Sequence, residues 1–289
     1  MKILHQLSLT AMVLSVVLCS CNRQKNAAEQ EQTTSASENA EIQYQAFHSQ
    51  DSSLFSTTFV WAEYPVNGPQ AYVDSVRKWI QSSLSYYPFG ESDTVKIPPL
   101  QKKLDNGQAF TDYYAVHKMY TPTQEGEREW MKESQIQMSS YDSIYVSFRN
   151  QHLTSVSDIN HSYMGGAHGS TTVNGMTFNN KTGKTYGWDM VADKKQLLVY
   201  IEQGLVDYFE ASNVKSMKEN LFPEAIENGL PLPQAEPFFT QDGLLVQYQQ
   251  YEIAPYALGI PTVVIGWDKC KKILNKEILQ MLQETINGQ

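Results

Sequence analysis

The chain has 289 residues, 41% of them hydrophobic and 18% charged, enough to bury the core of one large domain or two small ones. Its formal charge of −9, from 22 Lys and Arg against 31 Asp and Glu, argues against a nucleic-acid binder, which needs a basic face to displace counterions. The same acidity disfavours adsorption to an anionic membrane surface and favours a basic partner through long-range steering.

Residues 1–20 read as a signal peptide. Lys2 precedes an apolar run from Leu7 to Leu18, shorter than the roughly 20 residues a spanning helix needs. The run ends in Leu18-Cys19-Ser20-Cys21, which resembles a bacterial lipobox, the alternative being an ordinary secretory signal. The resemblance implies that Cys21 becomes a diacylated N-terminus on a lipoprotein of the bacterial cell envelope, held to the membrane by acyl chains. Of the three cysteines, only Cys270 then keeps a free thiol, so no internal disulfide forms; a lone cysteine in an apolar helical pattern reads as a small buried hydrophobe. The stretch 21–46 is rich in Gln, Glu, Ser, Thr and Asn and reads as a flexible tether.

The folded part is expected from residue 47. Phe55–Tyr64 is β-branched and aromatic and reads as a strand. Val73, Val76, Trp79, Ile80, Leu84 and Tyr87 then recur at helical spacing behind Pro69. Residues 91–138 are polar, with scattered aromatics, and read as one or two irregular helices. Ser143–Arg149 and Leu153–Tyr163 read as a hairpin about Asn150-Gln151.

After a glycine cluster at 165–169, Thr171–Phe178 reads as a strand ending in a turn over residues 179–184. A helix capped by Asp193 follows, with Leu197, Leu198, Ile201, Leu205, Tyr208 and Phe209 on its apolar face. Pro231, Pro233 and Pro237 mark an extended connection, and Leu244–Tyr248 and Thr262–Trp267 read as strands. Asp268–Ile286 reads as a closing amphipathic helix.

Strands interspersed with helices and no regular βαβ alternation predict an α+β fold: mixed or antiparallel sheets packed with helices, in two small subdomains at 47–150 and 151–289. The sequence has no dinucleotide fingerprint, P-loop, nucleophile elbow, zinc-protease helix or EF-hand loop, so no enzyme activity and no cofactor are expected.

Two motifs remain. His161-Ser162-Tyr163-Met164-Gly165-Gly166-Ala167-His168-Gly169, the Thr182-Gly183-Lys184 turn, and Phe239–Leu244 leading to Tyr251-Glu252-Ile253-Ala254-Pro255-Tyr256 together resemble the C-terminal domain of the RsiV anti-sigma factors, over about residue 152 to the end. That domain also accompanies certain peptidoglycan deacetylase modules. The resemblance implies an extracytoplasmic binding module with a lysozyme-like protein, or a peptidoglycan-related ligand, as partner. The chain departs from the RsiV layout in having no sigma-binding helix, no spanning helix and no deacetylase module, so neither of those activities carries over.

His168, Glu252, Tyr251 and Tyr256 are the candidate binding residues, open to two readings: walls of a ligand site, or fold-defining turns with Glu252 as a hydrogen-bonded carboxylate. The glycine pair is expected to supply positive φ, making Gly166→Val destabilising. For Asp158, His161 and His168 a structural role is favoured over a shared metal, since strand and loop spacing does not by itself put such ligands on one side. A glycan hydrolase using Asp242 and Glu252 and a structural scaffold of an envelope complex are the alternatives to a binding module.

Overall fold

The computed structural model describes residues 40–86, 97–98, 100 and 105–288; the signal segment, Cys21 and the tether through residue 39 lie outside the described residues. The first sheet is built from β1 (Gln43–Ser52), β2 (Ser56–Asn67), β3 (Met138–Arg149), β4 (Leu153–Tyr163), β5 (Ser170–Asn179) and β6 (Thr185–Tyr186), in that spatial order. Every neighbouring pair is antiparallel except β2 and β3, which run parallel. A parallel pair needs a long crossover, and that connection carries α1 (Gln70–Leu84), α2 (Gly107–His117) and α3 (Glu125–Ser134).

The first core lies between one face of this sheet and the crossover helices. Val60, Ala62 and Tyr64 of β2, Ile144 of β3, Val156 of β4 and Phe178 of β5 meet Val73, Val76 and Ile80 of α1 and Phe110 and Tyr114 of α2. The alternation of β2 and the helical period of α1 supply these residues as read from sequence.

The second half adds α4 (Lys194–Tyr208), α5 (Val214–Lys218), an antiparallel sheet of β7 (Phe238–Thr240), β8 (Gly243–Gln247) and β9 (Thr262–Gly266), and the terminal helices α6 (Trp267–Ile273), α7 (Lys276–Met281) and α8 (Gln283–Asn287). Its core joins Leu197, Ile201 and Leu205 of α4 to Leu244, Val246, Ile265, Ile273 and Ile278. Cys270 is buried here, its thiol pushed up to about 12 by desolvation, which leaves it an inert hydrophobe. β7 lies against the first sheet: Ser155 Oγ accepts from the Phe239 N–H at 3.2 Å and Ser147 Oγ donates to the Phe239 carbonyl at 2.9 Å. Gly175 on β5 allows this approach, because a Cβ there would stand 2.1 Å from the Phe238 ring.

The fold is α+β, as expected, with three local corrections. Gln43–Ala46, assigned above to the tether, begin β1 and pair with β2. They are polar because β1 is an edge strand, where side chains face water on one side while the backbone ladder supplies the order. The closing helix is broken twice, although its apolar residues are buried as the pattern required. Leu274 turns extended to bridge Val191, and Asn275 gives its N–H to the Met190 carbonyl at 2.8 Å while capping α7 through the Ile278 N–H. Finally, β7 and α5 lie where no regular element was read. The expected division at residue 150 falls in the β3–β4 turn, whose two strands are neighbours in one sheet.

Candidate functional site

The loop after β4 and the turn after β8 carry the two motifs, and the fold brings them together at the surface. The His168 imidazole stacks on the Tyr256 ring, with centroids 3.7 Å apart and planes at 19°. The Tyr251 ring lies 5.8 Å from Tyr256 and 6.4 Å from His168. In the neutral tautomer that donates its Nδ1–H to the Gly169 carbonyl at 2.9 Å, His168 Nε2 accepts from the Tyr251 hydroxyl at 3.3 Å. His168 is exposed and Tyr256 half-buried, while Tyr251 keeps 56% of its surface accessible.

Tyr251 has φ +65°, a left-handed conformation that a bulky residue adopts only when its surroundings enforce it. Glu252 enforces it. Its Oε2 accepts from the Gln249 N–H at 2.7 Å and its Oε1 from the Gln234 N–H at 2.8 Å, tying the turn to the proline-marked connection. Glutamine side chains then fix the turn to β5, whose edge over 170–175 lies beyond the reach of the two-residue β6. Gln249 donates to the Val173 carbonyl at 2.6 Å and accepts from the Val173 N–H at 3.1 Å; Gln250 accepts from the Thr171 N–H at 2.8 Å. These amides satisfy backbone groups that would otherwise invite a foreign strand.

The candidate residues therefore divide. His168, Tyr251 and Tyr256 form one exposed ring cluster, and Glu252 is the carboxylate that holds the turn presenting it. Glu252→Gln is expected to cost about 1–3 kcal/mol by removing charge-assisted acceptance from two backbone amides, lowering the melting temperature, whereas His168→Ala should leave the melt nearly unchanged. Thermal melts of the two variants check this. Within the glycine loop the positive φ belongs to Gly165, at +83°, where a Cβ would meet Ile136 at 2.8 Å. Gly166 has open space around it, so the destabilisation expected of Gly166→Val moves to Gly165.

The other sequence candidates are apart. Asp158 and His161 are three residues apart on β4 and so point to opposite faces of the sheet. His161 bonds Thr171 Oγ1 through Nδ1 at 2.9 Å, and a Cβ at Gly169 would touch its ring. Among the described residues no group of three or more His, Cys, Asp or Glu side chains is placed to hold a metal. Asp242 and Glu252 flank opposite ends of β8, which spans roughly 13 Å at the rise of an antiparallel strand.

Sequence reasoning missed a buried polar layer in the first core. Lys118 Nζ donates to Asp142 Oδ1 at 2.7 Å, both side chains being 1% exposed, and Asn160 Nδ2 donates to the same oxygen at 2.9 Å. Among the described residues Asp142 Oδ2 and Asp158 Oδ1 are buried without a hydrogen-bond partner. Burial, and then the negative charge of Asp142, push the Asp158 carboxyl up to about 7, against the opposing pull of Lys118. A partial signal was present: Asp142 and Asp158 share the strand parity of Ile144 and Val156, although the buried Ser140, Thr154 and Asn160 share it too.

Fold and site define an α+β domain that presents a cluster of aromatic rings at its surface. Residues 189–268, which include the Tyr251–Tyr256 turn, match the family model described as a protein of unknown function, DUF3298. A DUF3298 family member from Bacteroides fragilis NCTC 9343 is similar in structure, with a TM-score of 0.61 at 14% identity, covering 86% of this chain and 99% of that one. A second, from Pseudomonas aeruginosa PAO1, gives 0.47 at 14% identity over 83% and 95%. The first of these likenesses is one of fold. No curated protein matches the chain.

Proposed function

We propose that the chain is a non-catalytic lipoprotein of the bacterial envelope, anchored through Cys21, in which the His168–Tyr251–Tyr256 cluster is the binding surface for a lysozyme-like protein. The reading is carried by one observation: two motifs 83 residues apart meet as exposed stacked rings, one of them on a strained turn. Tyrosine gives large, rigid contact area at small entropic cost and is enriched at interface centres, and strained backbone concentrates where function requires a fixed presentation. The RsiV-like motifs supply the partner class, and the acidity of the chain suits a basic protein. A hydrolase is disfavoured because both Glu252 oxygens already accept backbone amides and Asp242 lies beyond the far end of β8.

Calorimetric titration with a basic c-type lysozyme should give binding that weakens as salt rises, and Tyr251→Ala should weaken it by about tenfold or more while the melt holds. Absence of binding at low salt overturns the partner, and binding of muropeptides instead would move the ligand to peptidoglycan. Cys21→Ala should release the protein from the membrane fraction, since the acyl chains are its proposed attachment. A variant that still resists alkaline wash refutes the anchor. Among the described residues no helix is long and apolar enough to cross a membrane.

A further inference from the structure

The crossover helices pack on one face of the six-stranded sheet. On the other face the pairing of the strands lines up side chains in rows that cross the sheet, because directly paired residues share a face. Gln50, Phe59, Tyr141, His161 and Thr171 make one row from β1 to β5. His48, Trp61, Ser143, Ile159 and Val173 make the next. At about 4.8 Å between strands each row spans roughly 19 Å, and the two rows lie about 7 Å apart. An outward sheet face ordinarily alternates to polar residues. This one carries Phe59, Trp61, Tyr141 and Ile159, with Tyr141 43% exposed and the other three half-buried.

The rows are bounded on two sides. Further along the strands β7 covers the same face, its Phe238 ring seated against Gly175, which pairs with Ser157. On the β5 side Gln249 and Gln250 bond the backbone of Val173 and Thr171, and a Cβ on Gly169, beside His168, would stand 2.6 Å from the His161 ring. The rows thus reach the ring cluster without sharing a residue with it. Their chemistry differs from that of the chain as a whole, for neither row contains Asp, Glu, Lys or Arg in a protein of net charge −9. Glu63, the next outward residue of β2, turns Oε2 to the Val146 N–H at 2.6 Å. Imidazoles flank the rings instead: His48 lies 6.4 Å from Phe59, and His161 6.4 Å from Tyr141.

We propose that this face binds an extended, uncharged glycan chain of equatorially linked pyranose units. Such a chain is a ribbon with C–H patches on its flat sides and hydroxyls along its edges. The rings of Phe59, Trp61 and Tyr141 take the patches, and the polar groups of Gln50, His48 and Ser143 offer hydrogen bonds to the edges. Charge selects the class of ligand, since a basic protein meets no carboxylate in the rows and an anionic ligand no Lys or Arg. The ribbon is common to plain glucans and to N-acetylated chains.

The test titrates the full chain with cellohexaose and with chitohexaose by calorimetry, at low and at high salt. Saturable binding that is insensitive to salt, and that Tyr141→Ala and Trp61→Ala each weaken by about fivefold or more, is the expected result. Tyr141 lies on the water side of the sheet, so its variant keeps the wild-type melting temperature and decides the matter should Trp61→Ala loosen the fold. Binding of cellohexaose assigns a plain glucan, and binding of chitohexaose alone assigns an N-acetylated chain. Saturable binding of neither sugar, or binding that Tyr141→Ala leaves intact, overturns the proposal. A dimer that Tyr141→Ala disperses, in a chain that binds neither sugar, overturns it too and gives the face to a second copy.

Discussion

Lys118→Met is expected to destabilise the fold by about 3–5 kcal/mol, a large share of the stability of a domain of this size. Lys118 follows α2 and turns its ammonium under the sheet, 2.7 Å from Asp142 and out of contact with water. Removing it leaves a buried carboxylate with one oxygen held by Asn160 and the other without a partner, beside a second buried aspartate. Desolvation of that charge then goes uncompensated. Lys118→Met with Asp142→Leu removes both charges and should recover most of the loss, because an apolar pair of similar volume commonly replaces a buried ion pair at little cost. Urea unfolding of the single and double variants at pH 7 measures both effects. A loss under about 1 kcal/mol for Lys118→Met would mean that the pair is not buried as the structure has it.

Elements whose order comes from their own periodicity were legible in the sequence; those whose order comes from a distant partner were not. α1 shows its face in Val73, Val76 and Ile80, the β3–β4 hairpin in its two runs about the Asn150-Gln151 turn, and α4 its start in Asp193, whose side chain accepts from the Gln196 N–H at 2.9 Å. β1 was hidden because an edge strand can be polar and still be ordered by the ladder of β2. The break between α6 and α7 was hidden because Leu274 leaves the helical path only to reach Val191, a contact 83 residues away in the chain.

The site divides along the same line. The glycine loop and the tyrosine turn were legible as motifs, but their meeting depends on β4, β5 and β8 bringing two loops to one surface. Glu252 was legible as a hydrogen-bonded carboxylate, but its partners, Gln234 and Gln249, were not. The glutamines that clamp β5 carried no signal at all, since an amide covering a strand edge looks in sequence like any surface glutamine.

Asp158→Asn is expected to make the protein more stable above neutral pH and to flatten one component of its pH dependence. The side chain lies on β4 opposite Ile144 of β3 and diagonal to Asp142, whose partner across the strands is the uncharged Asn160, and the charges that act on it are those of Asp142 and Lys118. Its carboxyl is held at about 7 in the folded protein, against 3.8 when free, chiefly by desolvation and then by the Asp142 charge. Between those values the folded state binds more protons than the unfolded one, so this group lowers stability as the pH rises. Its contribution is fully present below about pH 4, declines toward 7, and is gone above that, where a second negative charge stands beside Asp142 in the core. At roughly 1.4 kcal/mol per pH unit, the loss across this window is on the order of 4 kcal/mol. Asparagine keeps the shape and carries no charge at any pH, so the difference in unfolding free energy between variant and wild type should grow from pH 5 to pH 8. Urea unfolding of both proteins at pH 5, 6.5 and 8 gives that difference directly, and exposed carboxylates common to both cancel from it. A difference that stays constant, or shrinks as the pH rises, would mean that Asp158 is already ionised in the fold and that Lys118 serves both aspartates.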